Sequence, residues 1–417
     1  MNDERWGLFE RWGVEVEYMI VDAETLEVSP IADRLLTDAD AQPVAEIEVG
    51  PLAWSNELVL HVLELKTNGP AESLHGLAAS FQEGIADANR RLSQYGGMLM
   101  PTGMHPRMDP VRQTKLWPHD NSVVYETFDR IFGCTGHGWA NLQSVHLNLP
   151  FRDDDEFRRL HAAIRVVLPL LPALSASSPF MDGRITAWLD TRIEVYRHNA
   201  DRIPSVSGLV VPEPASSERE YHETILKPIW TDLEPHDPEG VLREEWVNAR
   251  GAIARFDRGT IEIRVLDTQE CAVADVAVVA AASALIRRLA DETTASVETL
   301  NALPTDQLAS LLLDTATMGD RTEIDDRAYL EAIGWTTGAC RARDFWDRAI
   351  EGGLDDGPDR EQWERALEVI LGDGCLARRI LARTGDSPDR RAIDATYRAL
   401  TNCLASGRQL RTRAANE

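Results

Sequence analysis

Basic residues are scarce in this chain of 417 residues: 43 lysines and arginines stand against 69 aspartates and glutamates, a formal charge of −26 at pH 7. A surface of that sign repels phosphate backbones and anionic lipid, so neither nucleic acid nor a membrane is an expected partner. The excess keeps a protein soluble or reflects a salty habitat, and it requires any anionic ligand to be met by local arginines or bound cations. Cysteine is scarce too. Cys134, Cys271, Cys340, Cys375 and Cys403 are scattered with no CxxC pair, which excludes a zinc knuckle, a thioredoxin-like motif and a disulfide framework and fits a reducing, cytoplasmic location. Long apolar runs are absent. The strongest, VAVVAAASALI at 276–286, is 11 residues long and lies between Asp275 and Arg287; it is too short to span a bilayer and suits a buried core helix. The opening MNDERWGLFERW shows no basic segment followed by an apolar run, so it does not read as a secretory signal.

What is present is a chain long enough to bury a core without a disulfide or a structural metal. Strand-like stretches recur at 13–21, 58–66, 98–101, 144–149 and 260–266, each with alternating or β-branched apolar positions. Helices are expected between them. AESLHGLAASFQEGIADANRRLSQYGG has helical apolar spacing and should stop at Gly96-Gly97, and DDDEFRRLHAAIRVVLPLL opens on acids that cap a helix N-terminus. After residue 290 the pattern is almost wholly helical, with EQWERALEVIL and DRRAIDATYRALTNCLASGRQL amphipathic and EGGLDDGPDR a loop between them. The expected architecture is α+β: a catalytic domain over 1–290 with a curved, mainly antiparallel sheet covered by helices, and a helical C-terminal region over 291–417 packed on it.

The polar faces of the strands carry the chemistry. In GVEVEYMIVD, Val14 and Val16 face one way and Glu15 and Glu17 the other, because side chains alternate across a strand; alone, that is as much a solvated face as a site. Glu64 in NELVLHVLELKTNGP lies in an apolar run where a carboxylate is costly unless paired or metal-bound. Glu57, seven residues earlier, has the wrong parity to share its face along an unbroken strand, so either a bend intervenes or it stands apart. SVHLNL presents His146, and GTIEIRVLD presents Glu262 and Arg264, opposite their apolar neighbours. A curved antiparallel sheet would gather these groups in one trough, and several carboxylates with an imidazole make an oxygen-rich site for Mg²⁺ or Mn²⁺. His105 in TGMHPRMDP reads as a loop histidine held by backbone groups, and Cys271 as a small buried hydrophobe.

With GVEVEYMIVD, ELVLHVLELKTNGP, TGMHP, SVHLNL, LPLLPALSASSPFMDGR and GTIEIRVLDTQ in this order over about residues 12–290, the chain resembles the carboxylate-amine ligases of the glutamate-cysteine ligase type 2 family, which share the fold of the glutamine synthetase catalytic domain and of guanidino kinases. The resemblance implies a metal set of Glu15, Glu17, Glu64, His146 and Glu262, with Glu57 as a sixth, holding Mg²⁺ and the phosphates of ATP over a substrate carboxylate. It implies a catalytic pair in Glu262 and Arg264, and substrate-carboxylate binding by Arg192 and Arg197, with Arg255 or Arg250 able to take their place. The implied reaction phosphorylates the γ-carboxyl of glutamate to an acyl phosphate, which the amine of cysteine attacks. The partners would be small molecules, ATP, an amino acid and an amine; a homo-oligomer is compatible with the sequence. Alternatives are the same chemistry on another carboxylate and amine, phosphorylation of a guanidinium, whose motifs are not seen, or a silent binding homologue. Residues 199–250 carry no motif of the family, which leaves the acceptor open.

Overall fold

The sheet is built on its first strand. In the computed structural model, which describes residues 5–412, the strands are β1 (Gly13–Asp22), β2 (Glu46–Val49), β3 (Leu52–Asn56), β4 (Val62–Thr67), β5 (Gly97–Met100), β6 (Ser144–Pro150), β7 (Ala252–Arg255) and β8 (Thr260–Asp267). They pair antiparallel in the order β2-β3-β4-β1-β6-β8-β7, and β5 joins the second half of β1 on the edge whose first half is taken by β6. The reading of the opening segment rests partly on residues 1–4, which lie outside the described residues.

The helices that matter here are α1 (Leu77–Leu92), α2 (Ser122–Phe132), α3 (Asp154–Val167), α4 (Thr191–Tyr196), α5 (Ala272–Ala290), α6 (Thr305–Met318), α7 (Arg360–Asp373), α8 (Leu376–Thr384) and α9 (Arg390–Ser406). Alternation gives the sheet one wholly apolar face: Val14, Val16, Tyr18, Leu63, Leu65, Leu147, Leu149, Ile261 and Ile263 are each 0% exposed. Helices α1, α3 and α5 pack against it, since that much apolar area is stable only under cover. The run at 276–286 lies inside α5 as a core helix, and α5 is tied to the first strand region where Tyr18 donates to Asp275 at 3.4 Å and Trp12 to Ser283 at 3.0 Å. Among the described residues no helix is long and apolar enough to cross a membrane.

The helix expected after Pro70 begins later, at Leu77, because Ala71 is spent on a backbone pair with Trp12; it ends at Leu92 with a short turn closing on Gly96. Helix α3 starts as its acids predict, the Asp153 carboxylate accepting from the amides of Asp155 and Glu156. Asp153→Ala should therefore cost about 1 kcal/mol in a urea titration with the m-value unchanged. From 291 to 412 the regular structure is helical apart from a small two-stranded sheet that pairs 323–324 with 340–341, and the core continues through this region. Helix α9 returns to α1 and β5, with Gln82 donating to the Leu404 carbonyl at 2.9 Å and Arg398 to the Glu24 carbonyl at 2.7 Å.

One expected strand, 58–66, is a bend followed by a strand. Leu58, Val59 and Leu60 look strand-like, but their backbone pairs sideways: Trp117 donates to Leu58, Leu60 to Lys115, and Ala32 to Leu60. Strand β3 before the bend, β2 and β7 have no counterpart among the expected strands. The signal for β2 and β3 is the Gly50-Pro51 turn between EIEV and LAWSN, where Gly50 has φ +62°, the conformation a two-residue hairpin asks of its first central residue.

Candidate active site

Register decides what the polar face collects. Strand β4 sets Lys66 opposite Glu15 and Glu64 opposite Glu17, and β3 sets Ser55 opposite Glu64. On the other edge of β1, β6 brings His146 opposite Glu15, and β8 then brings Glu262 opposite Asn148. Three adjacent cross-strand rows thus form the floor of a cavity of about 670 Å³. Glu57 enters from the bend between β3 and β4, which resolves its parity: the chain turns, and Glu57 lines the same cavity.

The floor is tightly bonded. Glu15 accepts from Asn148 at 3.0 Å and lies 3.2 Å from His146 Nδ1. Glu17 accepts from the Ser144 amide at 2.7 Å, and Ser144 Oγ lies 2.9 Å from His146 Nε2. Glu64 accepts from Ser55 Oγ at 2.6 Å and pairs with Lys66 at 3.2 Å. Glu262 lies 3.6 Å from His146 Nδ1 and accepts from Arg264 Nε at 2.6 Å.

Burial concentrates charge that the protein side alone does not balance. Burial and the Glu15 charge push the Glu64 carboxyl up to about 7, and burial with the charges of Glu17 and Glu64 pushes Glu57 well above the carboxylate range. Burial opposes ionisation of Glu15 as well, yet its hydrogen bond and attraction to His146 hold it at about 2. The His146 ring, which burial would lower, is driven up to about 10 by Glu15, Glu17 and Glu262. In the absence of a cation, then, protons do the neutralising. Donor atoms of Glu15, Glu64 and His146, and of Glu17, Glu57 and Glu64, converge within 4.8 Å of one another. Two such carboxylate-rich groups sharing Glu64 fit hard divalent cations.

The arginines divide. Arg264 faces the cavity, and burial, which would lower its pKa, is overcome by Glu262 and Tyr196, so it stays charged. Arg255 lines the cavity while pairing with Asp257 at 2.9 Å. Arg192 also reaches the cavity wall, but its guanidinium is committed to Asp267 at 2.5 Å. Arg197 is not among the lining residues; it pairs with Glu194 at 2.6 Å on α4, one turn away. Arg250 is buried in a two-pronged pair with Glu213 at 2.6 and 2.8 Å. His105 donates through Nε2 to the Leu26 carbonyl and accepts the Arg107 amide at Nδ1, and burial lowers it to about 4. Cys271 is buried, which pushes its thiol well up.

The sequence profile of glutamate-cysteine ligase family 2 (GCS2) matches residues 11–398, nearly the whole chain. The chain belongs to this family. It is accordingly an ATP-dependent carboxylate-amine ligase. An uncharacterised protein of Archaeoglobus fulgidus is 38% identical over 280 residues, 67% of this chain and 75% of that protein. A Rubrobacter xylanophilus protein provisionally named glutamate–cysteine ligase 2-3 is 27% identical over 241 residues, 55% of this chain and 61% of its own length. The crystal structure of the Francisella tularensis glutamate–cysteine ligase in complex with AMP superposes with a TM-score of 0.60 at 12% identity, covering 97% of this chain and 90% of that one. At that identity the likeness is one of fold, and it is the glutamine synthetase-like ligase fold.

Several cavity residues of this family-2 ligase escape a reading by motif. Lys66 stands two residues after Glu64 on the same face, and alternation alone could have found it. Tyr125 and Phe128 of α2, Trp139, Tyr196, Trp246 and Arg258 also line the cavity, yet reach it from helices and loops with no period to announce them. Trp246, Val247 and Ala249 come from the 199–250 stretch, where the sequence showed no legible motif although the family profile spans it.

Proposed function

We propose that the enzyme joins the γ-carboxyl of glutamate to the amine of cysteine at the expense of ATP. The observation that carries this reading is the register of β3, β4, β1, β6 and β8, which gathers Glu15, Glu17, Glu64, His146, Glu262 and Arg264 on one cavity floor, joined by Glu57 from the bend after β3, in a member of this family. In the first step a substrate carboxylate oxygen bonds to the terminal phosphorus of ATP as the bond to ADP breaks. In the second, the amine nitrogen attacks the acyl carbon, phosphate leaves with the carboxylate oxygen, and the nitrogen gives up a proton. The protein's part is to hold reactants of like charge together and to stabilise charge on the transferred group.

Glu15, Glu64 and His146, and Glu17 and Glu57 with Glu64, are the groups that would hold Mg²⁺, with Glu262 beside them. Bound there, the cation supplies charge that screens phosphate from carboxylate. Arg264, held by Glu262, takes the role of stabilising the moving phosphoryl charge, while Lys66, Arg255 and Arg258 on the cavity wall favour phosphates and carboxylates. The segment at 246–249 forms part of the wall and is the place where acceptor choice would be set.

Purified protein incubated with ATP, Mg²⁺ and glutamate, plus each of a panel of amino acids and amines, tests the reading. The expected result is ADP release that needs both glutamate and cysteine, with a dipeptide of matching mass. ADP release with a different carboxylate or amine would keep the chemistry and change the substrates. No amine-dependent release with any pair would sink the ligase assignment.

A further inference from the structure

Strand β8 is interrupted where it matters most. Ile263 pairs with Leu147, but the next pair is Leu266 with Val145, so Arg264 and Val265 together stand against the single residue His146. This is a β-bulge, which leaves backbone groups without a ladder partner and re-aims the side chain it carries. The bulge also switches parity. In an unbroken strand Asp267 would lie on the opposite face from Arg264; here it pairs with Ser144, on the face that carries Glu262 and Arg264.

At Arg264 the carbonyl is taken up by a side chain and the amide by backbone. The Arg264 carbonyl accepts from both terminal nitrogens of Arg192, at 3.2 and 3.1 Å, and the Arg264 amide donates to the Gly251 carbonyl at 2.8 Å. Arg192 is fixed in turn by Nε to Asp267 Oδ1 at 2.5 Å, with the two side chains 2% and 0% exposed. The other Asp267 oxygen accepts from the Ser177 amide and the Ser178 hydroxyl, each at 2.8 Å. The fit is close on the remaining side: a Cβ on Gly103 would stand 2.4 Å from the Asp267 carboxylate. These bonds engage all three nitrogens of Arg192 and leave one N–H on each terminal nitrogen, so Asp267 and the Arg264 carbonyl fix the orientation of the guanidinium.

We propose that Arg192 is a positioning residue: clamped by Asp267, it holds the Arg264 carbonyl at the bulge and so fixes the angle at which the Arg264 guanidinium meets the cavity. The reach of a planar guanidinium to a carboxylate on one edge and a carbonyl on the other is what a lysine cannot reproduce. The proposal rests on the ligase reading for its kinetic assay only.

The test is a double-mutant cycle. Arg192→Lys should lower kcat by about tenfold to a hundredfold, the penalty of slight misplacement, with the KM for ATP and for the carboxylate within about twofold. In an Arg264→Lys background the same change should have almost no further effect, because the group it positions is gone. Ser178→Ala, a milder loosening of Asp267, should show the same background dependence if Arg192→Lys fails to fold. An equal loss in both backgrounds, or a raised KM for the carboxylate with kcat intact, would overturn the proposal. If the parent enzyme turns over no substrate pair, the ligase reading fails separately, and the Arg264 Nε–H resonance, assigned by its loss in Arg264→Lys, decides: a shift or broadening in Arg192→Lys supports the clamp, and an unmoved signal overturns it.

Discussion

Arg264→Lys is expected to lower kcat by about 10²–10³-fold, the cost of removing one aligned donor from a developing negative charge, while the KM for ATP moves little. The guanidinium is arranged to give this result. Nε is held by Glu262 at 2.6 Å, Nη1 lies 3.5 Å from the Asn248 carbonyl, and the group lines the cavity. A lysine keeps the charge but offers a compact ammonium that cannot keep its bond to Glu262 and also present a second, fixed donor to a phosphoryl group. Steady-state kinetics with circular dichroism as a control for folding would check it. A lysine variant with parental kcat would remove Arg264 from the phosphoryl-transfer step.

Glu64→Gln separates a metal-binding floor from a merely buried polar one. Glu64 is central to both converging ligand groups, and its loss should reduce Mg²⁺-dependent turnover by at least about 10²-fold, since even groups behind a metal ligand cost 10–100-fold when removed. Without metal the same change should not harm the fold. The carboxyl has a folded-state pKa raised from 4.5 to about 7, so both states are protonated below pH 4.5. As pH rises from 4.5 to 7 the unfolded chain ionises first, and stability falls by the cost of keeping or ionising a buried carboxyl. Glutamine is neutral throughout and keeps an acceptor oxygen for Ser55, so in EDTA the variant should melt with the parent below pH 4.5 and above it beyond pH 7. Added Mg²⁺ should then stabilise the parent, increasingly with pH, and the variant little. Thermal melts with and without Mg²⁺ across that range, and assays alongside, read all of this. Full turnover in the variant would take Glu64 out of the site.

Much of the site was legible because strand periodicity is rigid. Alternation put Glu15 with Glu17 and Glu262 with Arg264, and the apolar opposite faces required that the sheet be covered on one side only. The family motifs LSASSPF and DTQ were legible as pattern but not as cause. Their reason is the buried Asp267 carboxylate, which ties Ser177 and Ser178 to the end of β8. Glu57 was undecidable from parity, because a bend is fixed by the backbone partners of Leu58 and Leu60, which come from two segments distant in sequence, at Ala32 and at Lys115–Trp117. The aromatic wall was silent for the same reason: Tyr125 and Phe128 arrive on α2, and Trp139 and Trp246 on separate short segments far from it in sequence.

The chain by itself determined the fold class and the polar strand faces, since these follow from side-chain chemistry and a period of two. Which faces meet, and in what register, was decided by tertiary structure. Glu15 is a plain strand glutamate until β4 places Lys66 and β6 places His146 beside it. Arg192 likewise passes for a substrate ligand in sequence; the bulge in β8 turns Asp267 onto its side of the sheet, and the electrostatics of a buried pair then commit its guanidinium to the backbone of Arg264.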